Sequence, residues 1–375
     1  MQKYLSFIIV LLLLTSCVKK TDDVELEKVS FSKLVDFEKD NMTGAYKAFR
    51  KSCEAIALKT GEFIDDSAIK INRKDYMAVC AKSSGITPKK FGEFIKNNFT
   101  PYLVTFNGSA EGKFTAYYEA ELNASYVKDD KYRYPIYAKP YDLVEVNLKD
   151  FDKSLPDKKI LGRVDSGKLV PYYTRKEIYE KGLNAPVILW ADSYVDLYIM
   201  QIQGSAVAKL PNGQKIRISY AENNGHKFKG IGSILLSKKV IPSGQASMGN
   251  IKKWLKQNFD KAKEHMNENE RYIFHRLGNE DGPMGALGVG LTSGRSLAVD
   301  KKFIPLGAML WLETSKPDNK KLNKLVVAQD IGGAIKGAVR GDYFWGSGGD
   351  DILEKAGKMN SKGQYYILIP NHSEK

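Results

Sequence analysis

The sequence predicts a mainly β protein with helices, in the α+β class. Strand-like and helical segments follow one another without the regular βαβ alternation that is typical of a doubly wound nucleotide-binding fold. Between residues 121 and 197, short aromatic and β-branched runs are separated by prolines and glycines, which predicts a small all-β unit. A chain of 375 residues is long enough for about two domains with separate cores.

Apolar spacing and turn residues predict further elements on both sides of this unit. These are helices at residues 34–58, 88–95, 247–268 and 350–358, and strands at 102–106, at 196–205 and from 288 onward. The first two helices are therefore expected to precede the first strand.

The N-terminus has the pattern of a secretory signal. Lys3 gives a positive start, residues 4–14 are apolar but too short to span a bilayer comfortably, and Leu14-Thr15-Ser16-Cys17 follows. This segment resembles the bacterial lipobox, which implies a signal peptide at residues 1–16 and a lipid on Cys17 that binds the membrane. Residues 17–35 are then expected to form a tether. Val18, where aspartate would favour inner-membrane retention, predicts a periplasm-facing protein on the outer membrane of a Gram-negative bacterium; an uncleaved signal anchor is the alternative.

The net charge of +14 favours an anionic partner. The lysines are spread along the chain, and the sequence has neither a zinc-ligand spacing nor an RNA-binding signature. No nucleic-acid partner is therefore predicted. The four histidines are scattered and have no cysteine companion, so no metal site is predicted either. The glycine segments at residues 230–232 and 285–290 lack a clear strand-turn-helix setting, and no cofactor is expected.

Two cysteines remain after Cys17. Cys53 and Cys80 would pair in an oxidising compartment, where closing such a loop contributes about 3 kcal/mol, but two buried thiols fit the sequence nearly as well.

Three aspartates lie at the ends of apolar segments near the C-terminus: Asp300, Asp330 and Asp342. Asp330 ends the run Val326-Val327-Ala328-Gln329 and is followed closely by Gly332 and Gly333. A carboxyl group in apolar surroundings tends to keep its proton, and glycines allow close approach of a ligand. Asp330 is therefore either an acid beside a substrate or a cap on a glycine turn.

The three-aspartate pattern resembles the 3D domain, a double-ψ β-barrel. Further matching segments lie at residues 114–118, 201–205, 220–226 and 331–337. Together they resemble the membrane-bound lytic murein transglycosylase A family. The resemblance implies a catalytic barrel built from residues 36–120 and 198–375, with the 3D region at about 290–370. It also implies an inserted β domain at 121–197, with a groove between the two domains for a peptidoglycan glycan strand.

The same resemblance implies a reaction and a site. Asp330 is expected to be the single acid/base that cleaves the β-1,4 bond between N-acetylmuramic acid and N-acetylglucosamine, leaving a 1,6-anhydro end. The expected substrate contacts are Thr115, Gln203, Gly204, Ser205, Gly332, Gly333 and Ala334. Asp300 and Asp342 are expected to support the acid structurally. Apart from the resemblance, five aromatic residues could stack on a sugar, and Tyr343 or Trp345 is expected to do so: Tyr117, Tyr118, Tyr343, Phe344 and Trp345.

Two departures from the family pattern affect one sugar subsite. Ala116 replaces a common glycine, and Glu119 replaces a small polar residue. Two alternative functions stay open: a noncatalytic glycan-binding protein, and a muramidase that uses Asp342 as a second carboxylate. A monomer is expected.

Overall fold

The computed structural model describes residues 23–279 and 281–372, and the predicted signal peptide and Cys17 lie outside this part. Its strands are β1 (Val24–Lys28), β2 (Phe99–Phe106), β3 (Gly112–Ser125), β4 (Tyr134–Tyr137), β5 (Val144–Asn147), β6 (Lys159–Asp165), β7 (Lys168–Pro171), β8 (Val187–Ala191), β9 (Ala206–Lys209), β10 (Lys215–Asn223), β11 (Ile273–Gly278), β12 (Ser296–Val299), β13 (Met309–Ser315), β14 (Lys321–Ile331), β15 (Arg340–Gly348) and β16 (Asn360–Pro370). Its α-helices are α1 (Thr43–Ala57), α2 (Arg73–Ser83), α3 (Phe91–Asn98), α4 (Leu148–Phe151), α5 (Arg175–Lys181), α6 (Tyr194–Gln203), α7 (Ile231–Ser237), α8 (Met248–Gln257), α9 (Phe259–Asn267) and α10 (Asp350–Gly357).

Six strands close into a barrel. They pair in the order β16, β13, β14, β12, β15 and β3, and β16 also pairs with β3, which completes the ring. Two of these pairs, β12–β14 and β15–β3, are parallel, and β1 and β2 extend the sheet beyond β16. Fully buried side chains such as Phe49, Trp311 and Tyr365 form the barrel core, to which α1 contributes. The predicted α+β class with a mainly β architecture is confirmed.

A second core continues from the C-terminal half of β3. It contains Leu122 of β3, Tyr198 of α6, Ile218 of β10 and Leu255 of α8, and it extends to Met266. The predicted insertion at residues 121–197 is therefore too short, since β9–β11 pair onward from β3 and belong to this core. It is also not all-β, because α4 and α5 lie within it.

The predicted strand at residues 196–205 is wrong, because these residues form α6 and the turn after it. The Ser193 side chain caps the helix by accepting the Asp196 N–H, and Gly204 ends it with φ of 87°. Every residue from Tyr194 to Gln201 except Asp196 is buried, so the helix has apolar residues on most sides. Because apolar residues lie on most sides of α6, the sequence lacks the 3.6-residue apolar periodicity of an amphipathic helix. Only the two capping residues indicate a helix.

The predicted tether is also too long. Residues 24–28 alternate between partly buried and exposed positions and pair as β1 with β2, and Leu34 is buried in the barrel core. A strand therefore precedes α1, contrary to the sequence-based order. The polar appearance of the segment came from Glu25, Glu27 and Lys28, which face solvent along an edge strand.

Several local predictions agree with the structure. The helix predicted at residues 34–58 begins nine residues later, at Thr43. Residues 88–98 are helical, residues 247–268 contain α8 and α9, and α10 lies at the expected place. Cys53 and Cys80 form a disulfide that joins α1 to α2. Among residues 23–279 and 281–372, no helix combines the length and apolar character needed to cross a membrane.

Candidate active site

Asp330 lies near the end of β14, directly after five buried residues, 325–329. Its carboxyl group accepts hydrogen bonds from the Tyr117 hydroxyl at 2.9 Å and the Ala286 backbone N–H at 3.1 Å. Burial raises the pKa of Asp330, and the two hydrogen bonds only partly oppose this effect. Asp330 therefore keeps its proton to a higher pH than an exposed aspartate, while two donors are in place to stabilise its anion.

Asp342 lies close to Asp330. Both are in register with Ala298, on the two strands that flank β12. Burial raises the pKa of Asp342, and the charge of Asp330 adds to this increase. The like-charge interaction thus raises the pKa of Asp342, whereas burial is the main cause of the raised pKa of Asp330.

Thr115 supports Asp342 and does not line the cavity beside Asp330. Its hydroxyl donates to Asp342 Oδ1 at 2.5 Å and accepts from Arg340 Nη2 at 2.8 Å. The hydroxyl therefore bridges Asp342 and Arg340, and the expected role of Thr115 as a substrate contact stays a prediction.

Asp300 fixes the loop that follows Asp330. Its carboxylate accepts the backbone N–H groups of Lys302 at 3.2 Å and Gly337 at 2.9 Å, and the residue is 8% exposed. Gly337 lies in the second half of the loop between β14 and β15, so Asp300 holds that part of the loop.

A cavity of about 550 Å³ opens between the barrel and the second core, with Asp330 in its wall. The barrel contributes Tyr117 and Phe344, and the second core contributes Gln203, Gly204, Ser205, Tyr220 and Arg276. The lining is completed by Tyr118, Glu119, Ser219, Pro283, Met284 and Leu291. We call this space the catalytic cavity.

The turn after α6 brings three of the predicted contacts into this cavity. Gln203 Oε1 accepts the Ala120 N–H at 3.2 Å, and the Ser205 hydroxyl donates to Glu119 Oε1 at 3.1 Å. Gly204 has the left-handed conformation that ends the helix, which turns the chain sharply beside Asp330. Gln203, Gly204 and Ser205 therefore line the cavity, and their role as substrate contacts stays a prediction.

The other three predicted contacts lie on the loop after β14 and are not part of the cavity lining. A Cβ on Gly332 would lie 2.7 Å from Ile335 Cγ1, so local packing requires this glycine. Gly333 faces open space, and Ala334 is exposed. These residues border Asp330 in sequence, and their role as substrate contacts stays a prediction.

The aromatic residues that reach the cavity are not the expected ones. Tyr343 is 6% exposed and donates its hydroxyl to the Gly294 carbonyl at 3.0 Å, and Trp345 packs against its ring. Side chains alternate along β15, so Phe344 faces the opposite way and lines the cavity. Tyr117, Tyr118 and Tyr220 are the other cavity aromatics.

Within the described residues, no group of three or more histidine, cysteine, aspartate or glutamate side chains is arranged to hold a metal ion.

Comparison with known proteins identifies the family. The model described as the MltA specific insert domain matches residues 113–276, and the 3D domain model matches residues 295–369. The crystal structure of MltA from Neisseria gonorrhoeae superposes with a TM-score of 0.81 at 33% identity, over 94% of each chain. The chain belongs to the MltA family.

Other MltA relatives agree. The membrane-bound lytic murein transglycosylase of Agrobacterium tumefaciens has a TM-score of 0.75 at 29% identity, over 92% of this chain and 98% of that one. The membrane-bound lytic murein transglycosylase A of Escherichia coli K12 is 30% identical over 265 residues, which are 68% of this chain. The match spans 65% of the length of that relative. The insert model ends at residue 276, close to the end of the second core.

Two of the cavity residues that were not predicted as site residues lie on β3. Tyr117 and Glu119 lie two and four positions after Thr115 on β3, so strand alternation alone would have placed them on the same face. Glu119, where the chain departs from the usual MltA pattern, is 2% exposed and forms an ion pair with Arg217. The hydroxyls of Ser205 and Ser347 also donate to it.

Proposed function

We propose that the protein is a lytic transglycosylase that cleaves the β-1,4 bond between N-acetylmuramic acid and N-acetylglucosamine in peptidoglycan and leaves a 1,6-anhydro end. The observation that carries the proposal is Asp330, a carboxyl group with a raised pKa that borders a cavity and has a donor on each oxygen. The names of the MltA relatives, lytic murein transglycosylases, support the substrate class.

In the first step, Asp330 acts as an acid. Breaking a glycosidic bond requires a proton on the departing oxygen, and burial keeps that proton on Asp330 at a pH where an exposed aspartate has lost it. As the proton leaves, negative charge develops on the carboxylate. The Tyr117 hydroxyl and the Ala286 N–H then stabilise this charge without having to reorient.

In the second step, Asp330 acts as a base. The C6 hydroxyl of the muramoyl residue attacks C1 of its own ring, and the ionised Asp330 accepts the proton of that hydroxyl. The carboxyl group returns to its starting state, and the sugar ends as the 1,6-anhydro form. The substrate thus supplies the nucleophile, and no water is consumed.

The surrounding carboxylates favour this route over hydrolysis. A glycosidase needs a second carboxylate, either as nucleophile or to activate water. Glu119 borders the cavity, but its two carboxyl oxygens are engaged by Arg217 and by two serine hydroxyls. Asp342 is held by Thr115 and does not line the cavity. Asp330 is therefore proposed as the single acid/base.

The test is mass spectrometry of peptidoglycan fragments released by the purified protein and by Asp330→Asn. The wild type is expected to give 1,6-anhydro ends, one water lighter than hydrolysis products. Asp330→Asn is expected to reduce turnover by at least about 10²–10⁴-fold, since general acid catalysis alone contributes that much. Glycan binding should survive, because the side-chain shape is kept.

Asp342→Asn is the matched control. It removes a nearby buried carboxyl group and is expected to reduce turnover less than Asp330→Asn. Reducing ends would refute the transglycosylase assignment and favour a muramidase. Glycan binding without any turnover by the wild type would favour the noncatalytic alternative, and near-normal activity of Asp330→Asn would exclude Asp330 from the mechanism.

We further propose that the mature protein begins at Cys17 and is held by lipid on the periplasmic face of the outer membrane. The lipobox pattern and the membrane-bound relatives support this location.

A further inference from the structure

The segment Tyr220 to His226 separates the catalytic cavity from a larger one. Tyr220 lines the catalytic cavity, whereas Glu222 and Asn223 line a neighbouring cavity of about 810 Å³. The Tyr220 hydroxyl donates to Glu222 Oε1 at 2.8 Å and accepts from Asn223 Nδ2 at 2.9 Å. A bulge between Tyr220 and Glu222 interrupts the pairing of β10 with β11 at this point. The two cavities therefore share one wall.

We call the second cavity the lysine cavity. Its lining contains more cationic side chains than carboxylates. Its cations are Lys158, Lys159, Lys227, Lys229 and Arg271, and its carboxylates are Glu145, Glu222, Glu268 and Glu270.

The carboxylates are largely engaged. Lys159 pairs with Glu145 at 2.6 Å, and Glu268 pairs with Lys238, outside the lining, at 2.8 Å. Within the described residues, Lys227 and Lys229 have no ion-pair partner within 4.0 Å. The lining thus offers free ammonium groups to an anionic ligand that also carries some positive charge.

The remaining wall suits an extended peptide with small side chains. Leu161, Leu169 and Val170 provide an apolar surface. Leu169 and Val170 belong to β7, which is an edge strand of the three-stranded sheet β5-β6-β7. The outer edge of such a strand presents backbone groups that an extended peptide can pair with.

We propose that the lysine cavity binds the stem peptide that peptidoglycan carries on its muramoyl residues. This peptide is short, has more carboxylates than amines, and bears alanine methyl groups, which matches the charge and apolar lining. It is attached to a sugar of the strand in the catalytic cavity, so a peptide site must adjoin that cavity, as this one does. The inference rests on the proposed function, and it makes peptide-bearing strands better substrates than bare strands.

The test compares two substrates and one double variant. The two substrates are peptide-bearing glycan strands and the same strands after a muramoyl-alanine amidase has removed their peptides. Cleavage of each substrate is measured for the wild type and for Lys227→Ala/Lys229→Ala. Each exposed ion pair contributes modestly, so KM for peptide-bearing strands is expected to rise about 3- to 10-fold in the double variant. KM for stripped strands should not change. Lys89→Ala/Lys90→Ala is the control, because it removes the same charge from exposed positions outside both cavities.

A binding measurement separates this inference from the proposed function. The tripeptide L-Ala-γ-D-Glu-meso-diaminopimelate is titrated into the full-length protein by NMR, which needs no turnover. Binding that weakens in the Lys227/Lys229 variant and with added salt would support the peptide site even if no anhydro product forms. Equal effects on both strand substrates, or tripeptide binding unchanged by the substitutions, would overturn the inference while leaving the proposed function intact.

Discussion

Replacing Tyr117 with phenylalanine tests how the protein sets the proton affinity of Asp330. The substitution removes only the hydroxyl that donates to Asp330 Oδ2 at 2.9 Å, and the ring remains in contact with Phe344. That hydrogen bond lowers the pKa of Asp330 against the effect of burial. Its loss is therefore expected to raise the pKa further.

The size of the shift follows from the type of hydrogen bond. A bond to a charged group contributes about 1.5–3 kcal/mol, and one pKa unit corresponds to about 1.4 kcal/mol. The Ala286 N–H still binds the carboxylate, and water can reach the partly exposed site, so the lower end applies. We expect an increase of roughly one pKa unit.

The readout is the pH dependence of kcat/KM for the release of anhydro-muropeptides. Asp330 must be protonated for the first step, so activity falls as the pH rises through its pKa. In Tyr117→Phe this alkaline limb should move to higher pH by about one unit. The maximal rate should also fall, because the anion formed in the first step loses one of its two donors.

Tyr118→Phe is the control for this experiment. Tyr118 also lines the catalytic cavity, but its hydroxyl does not bind Asp330. The alkaline limb of the pH profile of Tyr118→Phe should lie at the same pH as in the wild type. A limb in Tyr117→Phe that does not move, or that moves to lower pH, would refute the assignment of Tyr117 as a donor to the ionised Asp330.

Three further predictions concern stability and location. His275 is 1% exposed with both ring nitrogens unpaired, and burial lowers its pKa from 6.5 to about 3, so the unfolded chain binds a proton that the folded protein does not. The free energy of unfolding is then expected to fall as the pH drops below about 6.5, by about 2 kcal/mol at pH 5. Urea unfolding of His275→Leu should not show this loss. The same dependence of unfolding free energy on pH in both proteins would contradict the prediction. Replacing both Cys53 and Cys80 with serine opens a loop with a sequence separation of 27 and should lower the free energy of unfolding by about 3.5 kcal/mol, as measured by denaturant titration against the wild type; an unchanged midpoint would argue against the disulfide. Cys17→Ala should move the protein from the membrane to the soluble periplasmic fraction, while the purified protein keeps its activity; an unchanged membrane-bound amount would exclude the lipid anchor.

The position of Asp330 was predictable because its signal is local. A buried run that ends in a carboxylate and glycines can be recognised without any partner strand, and the structure places that carboxylate in a cavity wall. The turn after α6 was found through the family resemblance, although the helix before it was mistaken for a strand. The resemblance therefore located residues whose local structure the pattern of apolar residues could not give.

The groups around Asp330 could not be predicted in the same way. Tyr117 is 213 positions from Asp330, and Thr115 is 227 positions from Asp342. These contacts depend on the parallel pairing of β15 with β3, and no local pattern specifies which distant strands pair. The choice between Phe344 and its neighbours Tyr343 and Trp345 likewise depended on which face of β15 turns toward the barrel core.

The closing strand of the barrel also determines when the site around Asp330 can form. β16 ends at Pro370 and pairs with both β3 and β13, so the ring stays open until almost the last residues of the chain are available. A polypeptide that emerges with its N-terminus first cannot hold Tyr117 of β3 against Asp330 of β14 before that point. A chain shortened before β16 is therefore expected to leave Asp330 without the closed barrel that positions it.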